Sequence, residues 1–289
     1  MKANTGRLQL ILTMMLFGTI GTISRFIDMP SSIICLVRAV VGAIVILLIL
    51  AIQRKSVDIE SIRKNIGWLT LSSVLLCGDW IFQFEAFKYT TIATSTVCYY
   101  MEPVFYILAS VVVLKEKVSI RKWICVLIAF AGMILVSGVI EVGFNFGELK
   151  GVIFAIAGGF FYAMVVLINK YINGVTPINT TITQLVIASI IMIPYTLVTG
   201  AFGEIRFTTI GIICVLILGA LHTGIAYIFY FDCVNKLPAQ TVGILSYIDP
   251  VVACLLSALF LKEEMTLWVL IGAVLILGAT AYSELGDKK

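Results

Sequence analysis

Residues Tyr89–Ser119, YTTIATSTVCYYMEPVFYILASVVVLKEKVS, decide the fold, because their pattern returns as Lys236–Thr266, KLPAQTVGILSYIDPVVACLLSALFLKEEMT. Each segment holds an acid followed by proline midway along an apolar stretch. The motifs are Glu102-Pro103 and Asp249-Pro250, and the two prolines are 147 residues apart. Other landmarks recur at this interval: Pro30 with Pro177, Glu85 with Asp232, and Lys115-Glu116 with Lys262-Glu263. The chain is therefore an internal duplication.

The composition places this chain in a membrane. Of its 289 residues, 61% are hydrophobic and 12% are charged, and the mean hydropathy is +1.09. Soluble domains carry about 25% charged residues, and a helix needs about 20 apolar residues to cross the hydrocarbon core. We predict an all-α membrane protein with ten transmembrane helices, over Leu8–Ser24, Ser31–Gln53, Ile66–Phe87, Ile92–Leu114, Trp123–Gly138, Gly151–Asn169, Ile178–Thr199, Thr208–Val234, Ala239–Leu261 and Leu267–Tyr282.

Ten helices and the duplication together predict two five-helix repeats. Residues 1–140 form the first repeat, residues 141–150 an extracytoplasmic connection, and residues 151–289 the second repeat. Because five is an odd number, the second repeat enters the membrane upside down relative to the first. Transporters built from inverted repeats bind substrate and coupling ion between the halves, near the bilayer midplane. The duplication therefore favours a carrier.

The positive charges predict the orientation. With a cytoplasmic amino terminus, 14 Lys and Arg residues fall on the cytoplasmic side and five on the other, while Arg38 lies within a helix. Cytoplasmic loops of membrane proteins carry an excess of Lys and Arg. Both termini are therefore expected in the cytoplasm.

The two acid-proline motifs lie deep in the membrane. Glu102 is about 16 Å from the outer end of the fourth helix, at 1.5 Å per residue, and inversion brings Asp249 to nearly the same plane. A charge at this depth costs about 2.5–3.5 kcal/mol, so both acids should face a cavity.

Each proline adds a free carbonyl group to its motif. Pro103 cannot donate a hydrogen bond to the carbonyl of Tyr99, and Pro250 cannot donate to that of Ser246. A carboxyl group beside a free carbonyl could bind a proton, a small cation or an ammonium group, and the weakened helix could bend during gating. The alternative is a kinked helix whose acid is paired with an arginine or a backbone donor.

Two other mid-depth groups break the symmetry of the repeats. Asp79 and His222 have Ala226 and Leu75 as their counterparts. A substrate is asymmetric, so unpaired polar groups are better candidates for recognition. Asp79 is followed by Trp80 and, one turn later, by Gln83, which would offer a cation a charge and an aromatic face. The alternatives are a buried ion pair for Asp79 and, for His222, either a proton relay or a hydrogen-bonded packing residue.

Arg38 and Tyr99 complete the candidate site. Arg38 either neutralises Glu102 or Asp79, or binds a substrate carboxylate. Tyr99 precedes Glu102 by three residues and so shares its helix face, which makes it a candidate for lining the cavity.

Several functions are excluded by what the chain lacks. One histidine and no Ser/His/Asp, H-E-x-x-H or P-loop arrangement leave no enzymatic nucleophile or metal site. Arg38 is the one fixed positive charge in the spans, which argues against dianionic substrates. We expect no cofactor, although proton coupling is possible, and no nucleic-acid partner. The expected partners are the lipid bilayer and a small-molecule substrate; the oligomeric state is open, and a monomer is plausible.

The repeated segments resemble the EamA-type drug/metabolite transporter family. The resemblance rests on each acid-proline pair and the Lys-Glu turn about 12 residues later, and it extends to Phe17-Gly18 and Arg38. The chain departs from the family pattern with Asp at position 249 and with Asp79, which is not part of the motif. The resemblance implies a carrier in the bacterial plasma (inner) membrane that works by alternating access, often as an exporter of amino acids, amines or other small metabolites.

Three mid-depth acids favour a cationic cargo. The leading hypothesis is a secondary-active transporter, in the direction of export, of a small amine-bearing or cationic metabolite. An exporter of neutral or zwitterionic amino acids is the alternative within the same class, with Arg38 on the carboxylate and an acid on the ammonium. A lipid-handling flippase and a channel are the alternatives from other classes.

Overall fold

The computed structural model describes residues 2–115, 119–136, 146–236, 245–246 and 248–285, and within them the regular structure is entirely helical. The helices up to the first acid-proline motif are Lys2–Phe17 (α1), Ile20–Ser24 (α2), Ser31–Ile52 (α3), Ile59–Lys64 (α4), Ile66–Tyr89 (α5) and Ile92–Tyr99 (α6). The later helices are Glu102–Ala109 (α7), Ile120–Val136 (α8), Phe146–Asn169 (α9), Pro177–Val198 (α10), Thr209–Ile217 (α11), Ala226–Lys236 (α12), Ile248–Phe260 (α13) and Leu267–Leu285 (α14).

Within the described residues, seven helical segments are long and apolar enough to cross a membrane, and three shorter apolar helices accompany them. The long segments are Thr5–Ser24, Ser31–Ile52, Ile66–Tyr89, Ile92–Val113, Phe146–Asn169, Pro177–Val198 and Thr209–Tyr230. The shorter ones are Trp123–Val136, Ile248–Phe260 and Leu267–Ala279. The all-α membrane fold is therefore confirmed, and each of these segments overlaps one of the ten expected spans. The exact count of ten crossings stays a prediction.

Local sequence sets where several helices begin. The hydroxyl of Thr91 accepts from the Thr94 N–H at 3.0 Å and caps α6, and Thr208 caps α11 in the same way through the Gly211 N–H at 3.0 Å. The Asp58 carboxylate caps the short helix α4 by accepting from the Ser61 N–H at 3.1 Å. That backbone hydrogen bond holds the pKa of Asp58 below its ordinary value. These caps satisfy backbone N–H groups that a helix leaves without a partner at its first turn.

Helices from the two halves of the chain pack on their counterparts. Helix α3 packs on α10, α6 on α13 and α8 on α14, which are the second and seventh, fourth and ninth, and fifth and tenth spans. Helix α5 packs along α9 in the third and sixth spans, and α12 packs on α1 in the corresponding eighth and first spans. The main core lies between α3, α5 and α10, so the halves interlock rather than sit side by side.

Two predicted spans are broken in the structure, and one helix begins earlier than expected. The span expected over Ile92–Leu114 is broken at Tyr100 and Met101, between α6 and α7, because Pro103 has no N–H with which to continue the helix. The first span is broken between α1 and α2, at Gly18 and Thr19. Helix α9 begins at Phe146, inside the connection predicted over residues 141–150, since a helix can extend beyond the lipid; residues 137–145 lie outside the described ranges.

Two π-helical turns lie within the spans. Ser110–Leu114 extends α7, and Leu218–Ile225 joins α11 to α12. A π-helical turn holds an extra residue per turn and rotates the side chains after it, and such turns are frequent at functional sites. The second one contains His222, so the eighth span is not the uniform α-helix expected over Thr208–Val234.

Candidate functional site

A cavity of about 470 Å³ lies between the two halves of the chain. Seven of the predicted site residues line it: Glu102, Asp249, Asp79, Tyr99, Trp80, Gln83 and Arg38. Acids from both halves thus face one space, as the duplication predicts. His222 and Pro250 are not among its lining residues, and the side chain of Pro103 is outside the described part of the structure.

Both acid-proline motifs lie where another span comes unusually close. Glu102 and Asp249 stand in the first turns of α7 and α13. A Cβ atom on Gly159 of α9 would collide with the carbonyl oxygen of Tyr99, and one on Gly18 would lie 2.7 Å from the carbonyl oxygen of Asp249. Glycine is required at both positions because no side chain fits there.

One of the two carbonyl groups expected to be free has a partner from the other half. The carbonyl of Ser246, which Pro250 cannot reach, accepts a hydrogen bond from the Tyr100 hydroxyl at 3.1 Å. Tyr100 lies in the break between α6 and α7, so the break in the first half supplies the missing donor to the second. The motifs are therefore joined, rather than independent.

The carboxyl group of Asp79 is buried with an unused acceptor. Asp79 is 2% exposed, and its Oδ1 has no hydrogen-bond partner; the same holds for Oε1 of Gln83, one turn later on α5. The Tyr99 hydroxyl lies near the Asp79 carboxyl group. Asp79 makes no ion pair with a described residue, so the buried ion pair considered from the sequence does not form in this structure.

Arg38 is held beside the aromatic wall of the cavity. It is 4% exposed, its guanidinium carbon lies 4.5 Å from the centre of the Trp80 ring and 5.1 Å from that of Phe84, and its Nε donates to the Thr223 hydroxyl at 3.1 Å. Arg38 forms no ion pair with a described acid. The sequence predicted that the aromatic face of Trp80 would bind a substrate cation, but Arg38 occupies that face.

His222 lies behind the cavity and links two irregular segments. It is fully buried, with Nε2 2.8 Å from the Thr19 hydroxyl and Nδ1 3.3 Å from the Ile217 carbonyl oxygen. Thr19 lies in the break between α1 and α2. His222 thus contacts the broken part of the first span from the π-helical turn of the eighth, and a proton-relay role stays a prediction.

An ionic cluster at the predicted outer end was not expected from the sequence. Arg25 donates to Glu263 at 2.7 Å and to the Thr90 carbonyl at 2.8 Å, and Glu263 also accepts from the Ile92 N–H at 2.7 Å and from the Ser257 hydroxyl. The cluster joins the ends of α2, α6 and α13. The recurring Lys-Glu pair was the signal for it, because Glu263 belongs to that pair.

A neutral network lies at the predicted inner end. The Ser72 hydroxyl donates to Asn169 Oδ1 at 2.8 Å, and the Gln184 amide donates to Ser72 at 2.7 Å and to Asn169 at 3.1 Å. These side chains belong to α5, α9 and α10, and Asn169 and Gln184 line the cavity. A charged cluster therefore lies at one predicted end of the fold and an uncharged network at the other.

No His, Cys, Asp and Glu side chains of the described ranges are grouped as ligands for a metal ion. What the cavity offers is hydrogen bonding, charge and aromatic surface: Tyr162, Tyr227 and Tyr230 join Tyr99 and Tyr100 in its wall. Such a site suits binding of a small polar molecule.

An all-helical membrane protein with a cavity between its halves, lined by acids from both, has the architecture of a membrane transporter. The model of the EamA-like transporter family matches residues 4–138 and again residues 149–283. The chain belongs to the EamA-like transporter family and is a multi-pass membrane transporter.

Similar proteins agree with this assignment. The chain is 26% identical to the uncharacterized transporter YxxF of Bacillus subtilis (strain 168), over 97% of this chain and 89% of that protein. It is 23% identical to the uncharacterized transporter YoaV of Bacillus subtilis (strain 168), over 86% and 85%, and 24% identical to protein RarD of Streptomyces exfoliatus, over 77% and 69%. A solved crystal structure has the same fold, with a TM-score of 0.70, 16% identity and coverage of 97% of this chain and 98% of that one.

Proposed function

We propose that this transporter is a secondary-active exporter of a small amine-bearing metabolite. The substrate binds in the cavity between the two repeats and crosses by alternating access. The protein lies in the bacterial plasma (inner) membrane with both termini in the cytoplasm, and transport needs no bound cofactor.

One observation carries the choice of an amine. Asp79 Oδ1 and Gln83 Oε1 are buried acceptors without a donor, one turn apart in the cavity wall. Burial of an unsatisfied acceptor costs about 1–3 kcal/mol. An ammonium group has three N–H donors and a positive charge, so it satisfies both acceptors and neutralises the carboxylate. An anionic or purely apolar cargo would do neither.

A zwitterionic amino acid is the second candidate, and Arg38 favours it. The guanidinium group faces the same cavity as Asp79 but is not ion-paired to a described acid. A substrate that carries a carboxylate beside its amine would meet both charges at once. A simple amine would meet only one.

The contacts at the two predicted ends of the fold support alternating access. At the predicted outer end the cluster of Arg25 and Glu263 holds together elements of both repeats. At the predicted inner end, Ser72 of the first repeat is hydrogen-bonded to Asn169 and Gln184 of the second. Breaking one set while the other persists would expose the cavity to one side of the membrane at a time.

Glu102 and Asp249 are suited to couple transport to protons. Each acid lines the cavity and lies in the first turn of its helix, next to the proline that weakens that helix. Protonation of a carboxyl group removes its charge and lets the half-helix move through a low-dielectric region at lower cost. The amine binds at Asp79 and the proton at the paired acids.

Counterflow in proteoliposomes tests this proposal. Purified transporter is reconstituted with an aliphatic or aromatic monoamine inside, and uptake of the labelled amine is measured with and without a pH gradient. We expect saturable uptake that internal amine accelerates, and no uptake of the N-acetylated compound, which has lost the ammonium charge. Non-saturable flux, or equal uptake of the acetylated compound, would contradict the proposal.

A further inference from the structure

Thr223 is fully buried in the π-helical turn Leu218–Ile225 and lies behind the cavity wall. Its hydroxyl donates to the carbonyl of Leu218, five residues earlier, at 3.0 Å. A hydroxyl group has one proton, so the Thr223 oxygen is left to act as an acceptor. The Arg38 Nε–H donates to it at 3.1 Å. The direction of both hydrogen bonds is thereby fixed.

Close helix contact keeps Thr223 in this position. A Cβ atom on Gly42 of α3 would lie 2.7 Å from the Thr223 methyl carbon, and one on Gly219 would lie 2.7 Å from Cβ of Val41. The π-helical turn therefore rests directly on the helix that carries Arg38. The wide turn also aims the Thr223 side chain, because an ordinary α-helical turn would rotate it by about 100° relative to the preceding residues.

The rest of the Arg38 guanidinium is left for the cavity. Trp80 and Phe84 lie against the group, and Thr223 takes Nε. The terminal nitrogens belong to a residue that lines the cavity and has no ion pair with a described acid. A planar guanidinium whose Nε is already held offers a fixed pair of donors, and this geometry matches a carboxylate.

We propose that Thr223 is a specificity-determining positioning residue: acting through Arg38, it sets the preference for amines that also carry a carboxylate. The inference rests on the proposed function and narrows its substrate class. Thr223 has Leu76 as its counterpart in the first repeat, so only one half of the chain carries this device. A hydrogen bond to a charged group contributes enough that loss of the bond between Thr223 and Arg38 should change the affinity for the carboxylate-bearing substrate by about tenfold or more.

The test compares Thr223→Val with Thr223→Ser. Val has nearly the same shape but no hydroxyl, whereas Ser keeps the hydroxyl. KM and kcat are measured in proteoliposomes for two matched pairs, leucine with isopentylamine and phenylalanine with phenethylamine. We expect Thr223→Val to raise KM for the amino acids by about tenfold, while KM for the amines changes by less than about twofold and kcat is unchanged. Thr223→Ser should behave as the wild type.

An equal change for amines and amino acids in Thr223→Val, or no change at all, would overturn the inference. If the wild type carries the amines but not the amino acids, the proposed function stands and the inference falls. If it carries neither, both fall. Should Thr223→Val not fold, as judged by its thermal unfolding, Arg38→Lys serves instead; it keeps the charge but loses the paired donors, and the same selective rise in KM is expected.

Discussion

Glu102 in the first half and Asp249 in the second have similar surroundings, whereas the charged groups of Asp79 and Arg38 in the same cavity occur in only one half. Both acids lie in the first turn of a helix at the cavity, and a glycine of another span comes close to the backbone at each. The turns that follow also agree: Lys115 and Lys262 both have a left-handed backbone, with φ of 55° and 53°. By contrast, Asp79 and Arg38 have Ala226 and Leu185 as their counterparts.

Under the proposed function, this difference separates the groups that move from the groups that recognise the substrate. Devices that both halves carry suit opposite movements of two inverted repeats, because each half must perform the same step in turn. Groups that only one half carries suit a substrate that has no symmetry of its own. Mutations in the paired acids should therefore affect coupling, and mutations in the unpaired groups should affect affinity and selectivity.

The largest effect is expected from the paired acids. Glu102→Gln and Asp249→Asn should each abolish gradient-coupled transport and its pH dependence, since neither amide can take up a proton, while the protein stays folded in the membrane. Uptake with and without a pH gradient, together with thermal unfolding of the purified variants, measures this. Full activity with unchanged pH dependence in either variant would break the equivalence of the two halves.

Asp79→Asn should act on affinity instead. Loss of the charge that accepts the amine should raise KM for amines by about ten- to a hundredfold with little change in kcat. Asp28→Asn is the matched control, because Asp28 is a largely exposed acid at the predicted outer surface and should leave KM unchanged. A variant that only lowers expression would assign Asp79 to stability rather than to recognition.

The outer ionic cluster should have a moderate effect on access. Glu263→Gln weakens the ion pair with Arg25, so the labelling rate of a cysteine introduced at Thr96, which lines the cavity, should rise about fivefold with a membrane-impermeant thiol reagent. Glu85→Gln, which breaks the Lys88–Glu85 pair near the same predicted surface, is the control. Equal labelling in both variants would show that Glu263 does not close the outer end.

The smallest effect is expected at the duplicated turns. Lys115→Gly and Lys262→Gly should each stabilise the protein by up to about 1 kcal/mol, because glycine adopts a positive φ without steric cost. Thermal unfolding should show shifts of similar size in the two variants. Shifts of opposite sign would indicate that the two turns contribute differently to stability despite the same backbone conformation.

The sequence predicted the class of fold and seven of the residues that line the cavity. Hydropathy located the membrane helices, and the depth argument brought Glu102, Asp249 and Asp79 to one cavity, since an acid in lipid must face a polar space. The 147-residue interval also indicated which features are paired. These inferences rest on hydropathy, segment length and spacing, which can be read from the sequence without knowing contacts across the fold.

The remaining contacts depend on distances across the fold. Arg38 stacks on Trp80 rather than pairing with Asp79, Tyr100 satisfies the Ser246 carbonyl, and Thr223 reaches Arg38 from a π-helical turn. Helical periodicity assumes an unbroken α-helix, so it cannot locate the break at Tyr100 or the wide turn at Thr223. Both irregularities decide which side chains meet. Pro103 indicates a weakened helix near Tyr100 but not the residues at which it breaks, and no proline marks the wide turn at Thr223.

Ligand-induced stabilisation tests most directly whether the free acceptor of Asp79 binds the amine of the substrate. Thermal unfolding of purified wild type and Asp79→Asn is measured with a monoamine and with its N-acetylated form. A ligand at about 100 times its Kd stabilises the folded state by about 2.7 kcal/mol. The account predicts a raised unfolding midpoint for wild type with the amine alone, and little or none for Asp79→Asn. Equal stabilisation by both compounds, or an unchanged response in Asp79→Asn, would contradict it.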